Sequence, residues 1–208
     1  MHIYLIRHAE SESNMGQTYG HPEDIRLTAR GTRQACTVAS ALRSIEKIIV
    51  SDFARSQQTA EPVREKFPEA EYKVWHDVRE FTYLDPRKFT TITSNKKQNL
   101  VEEYWERMDP FFADGGEAET FANFVDRVRR CIANLRKEIL TTCVITHGNF
   151  IKLLLLLLSN HTEYIFRKSN REEIEMLMRA FYGRYKNEAY EIRNAEIIDI
   201  TKLLQVTA

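Results

Sequence analysis

A short apolar strand that ends in an arginine and a histidine is the feature that most constrains the fold of this chain. Residues 3–6 are apolar, and Arg7 and His8 follow them directly. In open α/β sheets, ligands bind in the crevice beyond the carboxyl ends of the strands. The pattern therefore predicts a buried strand that delivers both side chains to such a crevice. The arginine indicates an anionic ligand, because a guanidinium group matches the geometry of a phosphate or a carboxylate.

Three further apolar runs suit buried strands, and helical patterns separate several of them. The runs are residues 48–50, 72–75 and 143–146. Alternation of this kind predicts a largely parallel sheet that is covered by helices on both faces. The predicted fold class is therefore α/β, with three α/β/α layers, and the 208 residues suit one domain, 1–208.

Apolar spacing predicts the helices. Thr28 is a suitable N-cap for a helix with one apolar face, formed by Ala35, Val38, Ala39 and Leu42. A second stripe predicts a helix packed on the sheet, with Phe121, Phe124, Val125, Val128, Ile132 and Leu135. The apolar run 151–158 is shorter than the roughly 18 residues that a membrane span needs, so it predicts a buried helix.

Residues 76–117 are predicted to be the least regular part of the chain. This stretch mixes Pro86, Pro110 and the pair Gly115-Gly116 with several aromatic residues. A long insertion between a strand and a helix often serves function. We therefore expect part of a binding site in this stretch.

Composition narrows the classes of function. Lys and Arg together number 30, as do Asp and Glu, so the overall charge does not favour nucleic acid or an anionic membrane as a partner. Three widely spaced cysteines, and a start that leads directly into a strand without a secretory pattern, predict a reduced, cytoplasmic protein. We expect no cofactor.

Other hydrolytic chemistries lack their sequence signatures. A cysteine phosphatase needs Cys, five residues and then Arg, but the sixth residues after the three cysteines are Leu42, Lys137 and Asn149. A Gly-x-Ser-x-Gly motif is absent, which argues against a serine hydrolase of that kind. His8 and His147 stand far apart in sequence, beside arginine or glycine, so a zinc site is not expected.

Four sequence blocks occur in the order that one enzyme family shows. They are Arg7-His8-Ala9, the Leu-Thr-x-x-Gly-x-x-Gln-Ala pattern at 27–35, the block 51–60 with Arg55, and Thr146-His147-Gly148-Asn149. Together they resemble the histidine phosphatase superfamily, which contains the phosphoglycerate mutase-like enzymes. Residues 193–200 resemble the family's terminal strand, which lies antiparallel at the sheet edge. Ala9 stands where the family most often has glycine, a change that a negative φ would tolerate.

The resemblance implies roles in the cleavage of a phosphomonoester. His8 would attack phosphorus with one ring nitrogen while the other donates to a backbone carbonyl, and Arg7, Arg55 and His147 would contact phosphate oxygens. Glu80, in a segment with a looser match, would protonate the leaving group. Further substrate contacts are expected from Ser11, Asn14, Gly148 and Asn149. The carboxylates that compete for the role of proton donor are Glu10, Glu12, Glu102, Glu103 and Glu117.

The expected function is a metal-independent phosphatase that acts on a small phosphorylated substrate. Two alternatives stay open, namely a phosphoglycerate-type phosphomutase and a non-catalytic phosphate-binding domain. The mutase is less favoured, because only residues 201–208 follow the last predicted strand, whereas mutases of this family close their sites with a C-terminal tail. In the family, the position of the insertion 76–117 supplies the lid and much of the substrate pocket. Neither nucleic acid nor a membrane is expected as a partner, and a homodimer is left open.

Overall fold

One five-stranded mixed sheet forms the centre of the protein. The computed structural model describes residues 1–15, 21–89, 94–159 and 170–205. The strands are β1 (Ile3–Arg7), β2 (Lys47–Val50), β3 (Glu71–Val74), β4 (Thr142–Thr146) and β5 (Ile197–Asp199). They lie in the order β3-β2-β4-β1-β5, and β5 alone is antiparallel to its neighbour. The predicted parallel sheet with an antiparallel edge strand is confirmed.

Helices connect these strands. In the described part of the chain they are α1 (Ala29–Ala41), α2 (Ala54–Lys66), α3 (Ser94–Arg107), α4 (Phe121–Leu135), α5 (Gly148–Ser159), α6 (Arg171–Lys186) and α7 (Thr201–Gln205). The helices predicted from the two apolar stripes are α1 and α4, and the apolar run 151–158 lies in α5. No helix in the described ranges is long and apolar enough to cross a membrane.

Two hydrophobic clusters flank the sheet, because successive strand residues point to opposite faces. Leu5 and Val144 pack in one cluster with residues of α4, α5 and α6. Ile6 and Ile145, their neighbours in sequence, pack in the other cluster with residues of α1 and α2. The predicted three-layer architecture is therefore confirmed.

The start of α1 is fixed against the loop that follows β1. Thr28 caps the helix by accepting a hydrogen bond from the backbone N–H of Gly31 at 3.0 Å. A Cβ atom at position 31 would lie 1.9 Å from the carbonyl oxygen of Glu10. Glycine is therefore required where the helix approaches this loop, and the contact holds the loop that carries His8 in place.

The structure corrects one expectation. The run 72–75 is not a buried strand, because β3 lies at the edge of the sheet and exposes Glu71, Lys73 and Val74. The insertion 76–117, predicted to be the least regular part of the chain, contains one element that was not predicted, the 14-residue helix α3. The second half of α3 buries Tyr104 and Trp105 in the hydrophobic core, and this packing stabilises the helix within the insertion.

Candidate active site

The ends of β1 and β4 bring the two predicted histidines together. Arg7 pairs in register with Thr146, so the residues that follow, His8 and His147, leave the sheet side by side. Their ring centroids are 5.2 Å apart. The neighbouring strand β2 ends nearby and leads into α2, whose first turn carries Arg55.

His8 is a buried, neutral imidazole with a defined tautomer. Its Nδ1–H donates to the carbonyl of Ala9 at 2.7 Å, so Nε2 carries the lone pair and accepts a hydrogen bond from Nε of Arg55 at 3.2 Å. Burial, and then the charge of Arg55, lower the pKa of His8 well below its usual value. The ring is therefore unprotonated at neutral pH, as a nucleophile must be.

The residue after His8 fits without glycine. The non-glycine residues with positive φ in the described ranges are Met108 and Ala195, so Ala9 has an ordinary backbone conformation. Ala9 is buried, and its N–H donates to Oγ1 of Thr59 in α2 at 3.0 Å. The backbone of Ala9 therefore meets the condition under which alanine was expected to be tolerated here, namely a φ that is not positive.

Arg55 connects the two imidazoles. Its Nη2 donates to Nδ1 of His147 at 3.2 Å, and its Nη1 donates to the carbonyl of Pro22 at 2.6 Å. The guanidinium group also stacks 4.7 Å from the ring centroid of Phe53. Burial lowers the pKa of Arg55 to about 10, which still leaves it charged at neutral pH. The charge is buried with few acidic partners, which is the state expected of an anion-binding arginine.

His147 is also neutral, and its second ring nitrogen contacts a serine. Burial and the charge of Arg55 lower the pKa of His147 well below its usual value. Because Nδ1 accepts from Arg55, Nε2 carries the proton and donates to Oγ of Ser51 at 2.7 Å. Ser51 is fully buried, and sequence reasoning assigned it no role. Its position directly after the predicted strand β2 was the available signal.

Arg7 has a donor that no described group accepts. One of its Nη atoms donates to the carbonyl of Ile192, but its buried Nε has no hydrogen-bond partner within the described residues. Burial lowers the pKa of this guanidinium group. The side chain packs over Gly148, where an added Cβ would lie 3.4 Å from Nε. A free donor next to the His8 loop is suited to bind a phosphate oxygen.

Glu80 lies at the N-terminus of α5. Its carboxylate accepts hydrogen bonds from the backbone N–H groups of Phe81 at 2.8 Å and of Asn149 and Phe150, both at 3.3 Å. Glu80, Arg55 and Asn149 line one cavity of about 220 Å³. Glutamates that competed for the role of proton donor do not line this cavity; these are Glu10, Glu12, Glu102, Glu103 and Glu117.

Arg127 of α4 holds the segment that carries Glu80, and sequence reasoning missed it. The buried guanidinium group donates to both carboxylate oxygens of Glu119, at 2.8 and 2.6 Å. Its Nη1 also donates to the carbonyls of Asp77 and Arg79, both at 2.9 Å. One side chain thus fixes the main chain just before Glu80. No local pattern distinguishes this arginine from the polar residues of an amphipathic helix.

The remaining predicted contacts divide into two groups. Asn149 lines the cavity, whereas Ser11 is fully buried and its Oγ donates to Oδ1 of Asn14 at 3.0 Å. Asn14 is exposed and also accepts from Asn194, whose amide donates to the carbonyl of His8 at 3.1 Å. Ser11, Asn14 and Gly148 are therefore not among the residues that line this cavity, whereas Ser13 is.

Metal ligation has no evident place among these residues. Across the described ranges, no three His, Cys, Asp or Glu side chains are grouped so that they could hold a metal ion. The two histidines each use both ring nitrogens in hydrogen bonds to the protein. The positive charge at the site is supplied by Arg7 and Arg55.

Comparison with known protein families shows the family to which the chain belongs. The model of the histidine phosphatase superfamily (branch 1) matches residues 3–186, and the chain belongs to that superfamily. The matched range includes the two histidines, the two arginines and Glu80.

Two of the curated relatives carry the same name. The chain is 42% identical over 113 residues to the "Probable phosphoglycerate mutase GpmB" of Proteus mirabilis. The matched segment covers 51% of this chain and 48% of that protein. Its counterpart in Yersinia enterocolitica is 31% identical over 141 residues, covering 64% and 61%. The chain thus spans about half to three fifths of the length of these relatives.

Solved structures share the fold. The alpha-ribazole phosphatase of Shigella flexneri superimposes with a TM-score of 0.69 and 22% identity, covering 95% of this chain and 88% of that one. A mycobacterial glucosyl-3-phosphoglycerate phosphatase superimposes with a TM-score of 0.66 and 19% identity, covering 94% and 87%. At these identities the likeness concerns the fold.

Proposed function

We propose that this chain is a phosphomonoesterase that forms a phosphohistidine on His8 and needs no metal ion. The observation that carries the proposal is the environment of His8. Its Nε2 lone pair faces Arg55, and Glu80 lines the same cavity as that arginine. A neutral nucleophile, buried cations and a carboxylate are the groups that phosphoryl transfer from a monoester requires.

Binding of the phosphate would rearrange the hydrogen bonds of Arg55. Its Nε and Nη2 point at the two imidazoles, and phosphate oxygens are stronger acceptors for a guanidinium group than neutral nitrogens. Transfer of these donors to the phosphate frees Nε2 of His8 for in-line attack. Nε of Arg7 supplies a further donor.

The contact between Ser51 and His147 allows His147 to donate to the phosphate as well. In the structure without substrate, Nδ1 of His147 accepts from Arg55 and Nε2–H donates to Ser51. A serine hydroxyl can either accept or donate. Once Arg55 turns to the phosphate, Ser51 can donate to Nε2, and the tautomer with a proton on Nδ1 can donate to a phosphate oxygen.

The reaction then proceeds in two steps, phosphoryl transfer to His8 and hydrolysis of the phosphohistidine. In the first, Nε2 of His8 forms a bond to phosphorus as the ester P–O bond breaks, and Glu80 gives its proton to the departing alkoxide. In the second, the Glu80 carboxylate takes a proton from water, the water oxygen attacks phosphorus, and the P–N bond breaks. Inorganic phosphate leaves, and His8 returns to its neutral form.

A phosphomutase is the second candidate, and the names of the curated relatives favour it. A mutase would use the same phosphohistidine but return the phosphoryl group to a different hydroxyl. The phosphatase has support from the site, because the cavity beside Glu80 has no second basic group among its described lining residues to hold a phosphoglycerate carboxylate.

We also propose a cellular compartment and a class of partner for the enzyme. All three cysteines, Cys36, Cys131 and Cys143, are free thiols, which supports a reducing compartment such as the cytoplasm. The partner that we propose is a small phosphorylated metabolite rather than nucleic acid or a membrane.

A turnover assay with product identification tests the proposal. The purified protein is incubated with p-nitrophenyl phosphate, alkyl phosphates and 3-phosphoglycerate in the presence of EDTA, and ³¹P NMR follows the products. We expect inorganic phosphate from the monoesters at the same rate with and without chelator. Faster formation of 2-phosphoglycerate than of inorganic phosphate would establish the mutase. Loss of turnover in EDTA that a divalent ion restores would overturn the metal-free mechanism.

A further inference from the structure

The cavity beside Glu80 is where the alcohol part of a substrate would lie. It has a volume of about 220 Å³ and shares Arg55 and Glu80 with the site of phosphoryl transfer. An ester oxygen that accepts a proton from Glu80 must lie within hydrogen-bond distance of that carboxyl group. The group attached to this oxygen therefore extends into the cavity.

The walls of this cavity are mostly apolar. Phe53, Phe81 and Leu84 are almost completely buried, and with Ile25, Tyr83 and Val101 they make up half of the described lining residues. Apart from Arg55 and Glu80, the polar side chains of the lining are few, namely Ser13, Thr82, Asn149 and Tyr83, whose hydroxyl group contacts that of Tyr185. Such walls favour a group with an apolar or aromatic face and few polar substituents.

No unpaired cation in the described lining would hold a second negative charge. The ionisable residues of the lining are Arg55, which the phosphate uses, and Glu80, which supplies no positive charge in either protonation state. Arg79, in the adjacent wall, is already paired with Asp52 and Glu23. Lys152 does not line the cavity, and its ammonium group lies 5.6 Å from the ring centroid of Tyr185. A carboxylate in the cavity would lose its hydration without gaining a partner.

We infer that the substrate is the phosphomonoester of an uncharged alcohol that carries an apolar or aromatic group of about one ring. An apolar protein cavity of about 150 Å³ accommodates benzene, so 220 Å³ holds one ring with a short linker to the ester oxygen. The inference rests on the proposed phosphatase function and adds to it the chemical class of the leaving group.

A matched set of substrates tests this inference. Benzyl phosphate and 4-carboxybenzyl phosphate release similar alcohols but differ by one negative charge, and 4-(methoxycarbonyl)benzyl phosphate controls for size. We expect kcat/KM for benzyl phosphate to exceed that for the carboxylate by at least about tenfold, with the methyl ester close to benzyl phosphate. Equal or faster turnover of the carboxylate would overturn the inference.

A substitution in the wall of the cavity tests whether the selectivity against a carboxylate arises there. Val101 of α3 is half-buried in the lining and has no part in the reaction. Val101→Lys brings a cation to the cavity, and Val101→Met is its uncharged control of similar length. We expect the ratio of carboxybenzyl to benzyl turnover to rise about tenfold in the lysine variant relative to the methionine variant. An unchanged ratio would show that the leaving group does not bind here and would also overturn the inference.

The two proposals fail in different ways. If the wild-type protein hydrolyses none of these esters, nor p-nitrophenyl phosphate, the phosphatase function itself is wrong. If it hydrolyses p-nitrophenyl phosphate and prefers the carboxylate, the phosphatase function stands and the assignment of the leaving group is wrong.

Discussion

The two ends of the candidate site are built in different ways. The phosphate end, formed by Arg7, His8, Arg55 and His147, follows directly from the ends of central strands and the first turn of α2. The leaving-group end, formed by Glu80 and its cavity, belongs to the insertion 76–117 and is held by side-chain contacts. Substitutions at the first end should slow all substrates alike, whereas substitutions at the second should depend on the leaving group.

Glu80→Gln makes the strongest test of this difference. We expect turnover of alkyl phosphates to fall by about 10² to 10⁴, which is the usual contribution of a general acid, and p-nitrophenyl phosphate to be largely spared in the transfer step. A p-nitrophenolate leaves without a proton. A pre-steady-state burst with this substrate would show that hydrolysis of the phosphohistidine has become slow. Equal slowing of both substrates without a burst would mean that Glu80 is not the proton donor.

Arg127→Met should reproduce this selectivity more weakly. Arg127 does not line the cavity but fixes the carbonyls of Asp77 and Arg79, so its loss misplaces Glu80. We expect kcat for alkyl phosphates to fall by about 10- to 100-fold and kcat for p-nitrophenyl phosphate to change much less. The control is Arg130→Met, an exposed neighbour on α4 that pairs with Asp77. Equal losses for both substrates would point to a general structural defect.

Ser51→Ala tests the phosphate end. Ser51 contacts His147 at 2.7 Å and is separated from the substrate by that ring, so we assign it a positioning role. Loss of one buried hydrogen bond should lower kcat by about three- to tenfold for alkyl and aryl phosphates alike. Ser40→Ala, on the exposed side of α1, serves as the control. A loss confined to alkyl phosphates would contradict the separation of the two ends.

Sequence reasoning reached the phosphate end more completely than the leaving-group end, for a physical reason. Arg7, His8 and His147 directly follow apolar strands, and the register of a parallel sheet then brings them together. The position of Glu80 depends on contacts with Arg127 and the start of α5, which are distant in sequence. Only the looser resemblance of its segment indicated its role.

The sequence did not predict the helix α3 or the edge position of β3, and the physical reason is the same for both. Most residues of α3 are polar, and its apolar side chains, Leu100, Val101, Tyr104 and Trp105, lie within six residues, too few to show a helical period. The strand β3 contains the apolar residues Tyr72 and Val74, which suggested a buried strand. Its position at the edge of the sheet is evident only from the order of the strands. Both features are settled by tertiary packing rather than by local pattern.

The smallest expected effect concerns stability. In the folded state the pKa values of His8 and His147 lie well below 6.5, their value in an unfolded chain. Between these values the unfolded state binds more protons, so the free energy of unfolding falls as pH drops below 6.5. In His8→Asn this slope should decrease, and the decrease should approach about 1.4 kcal/mol per pH unit, the limit for one proton, as the pH falls well below 6.5. Urea unfolding between pH 5 and pH 7 measures it, and an unchanged slope would mean that His8 is not buried in its neutral form.

The identity of the phosphorylated residue tests the central claim most directly. Wild-type protein and His8→Ala are mixed with a ³²P-labelled monoester, quenched within milliseconds and analysed for label on the protein. We predict an acid-labile, base-stable label on His8 in the wild type and no label or turnover in the variant. Label that persists on histidine in His8→Ala would contradict the account and would transfer the role of nucleophile to another residue, with His147 the first to be tested.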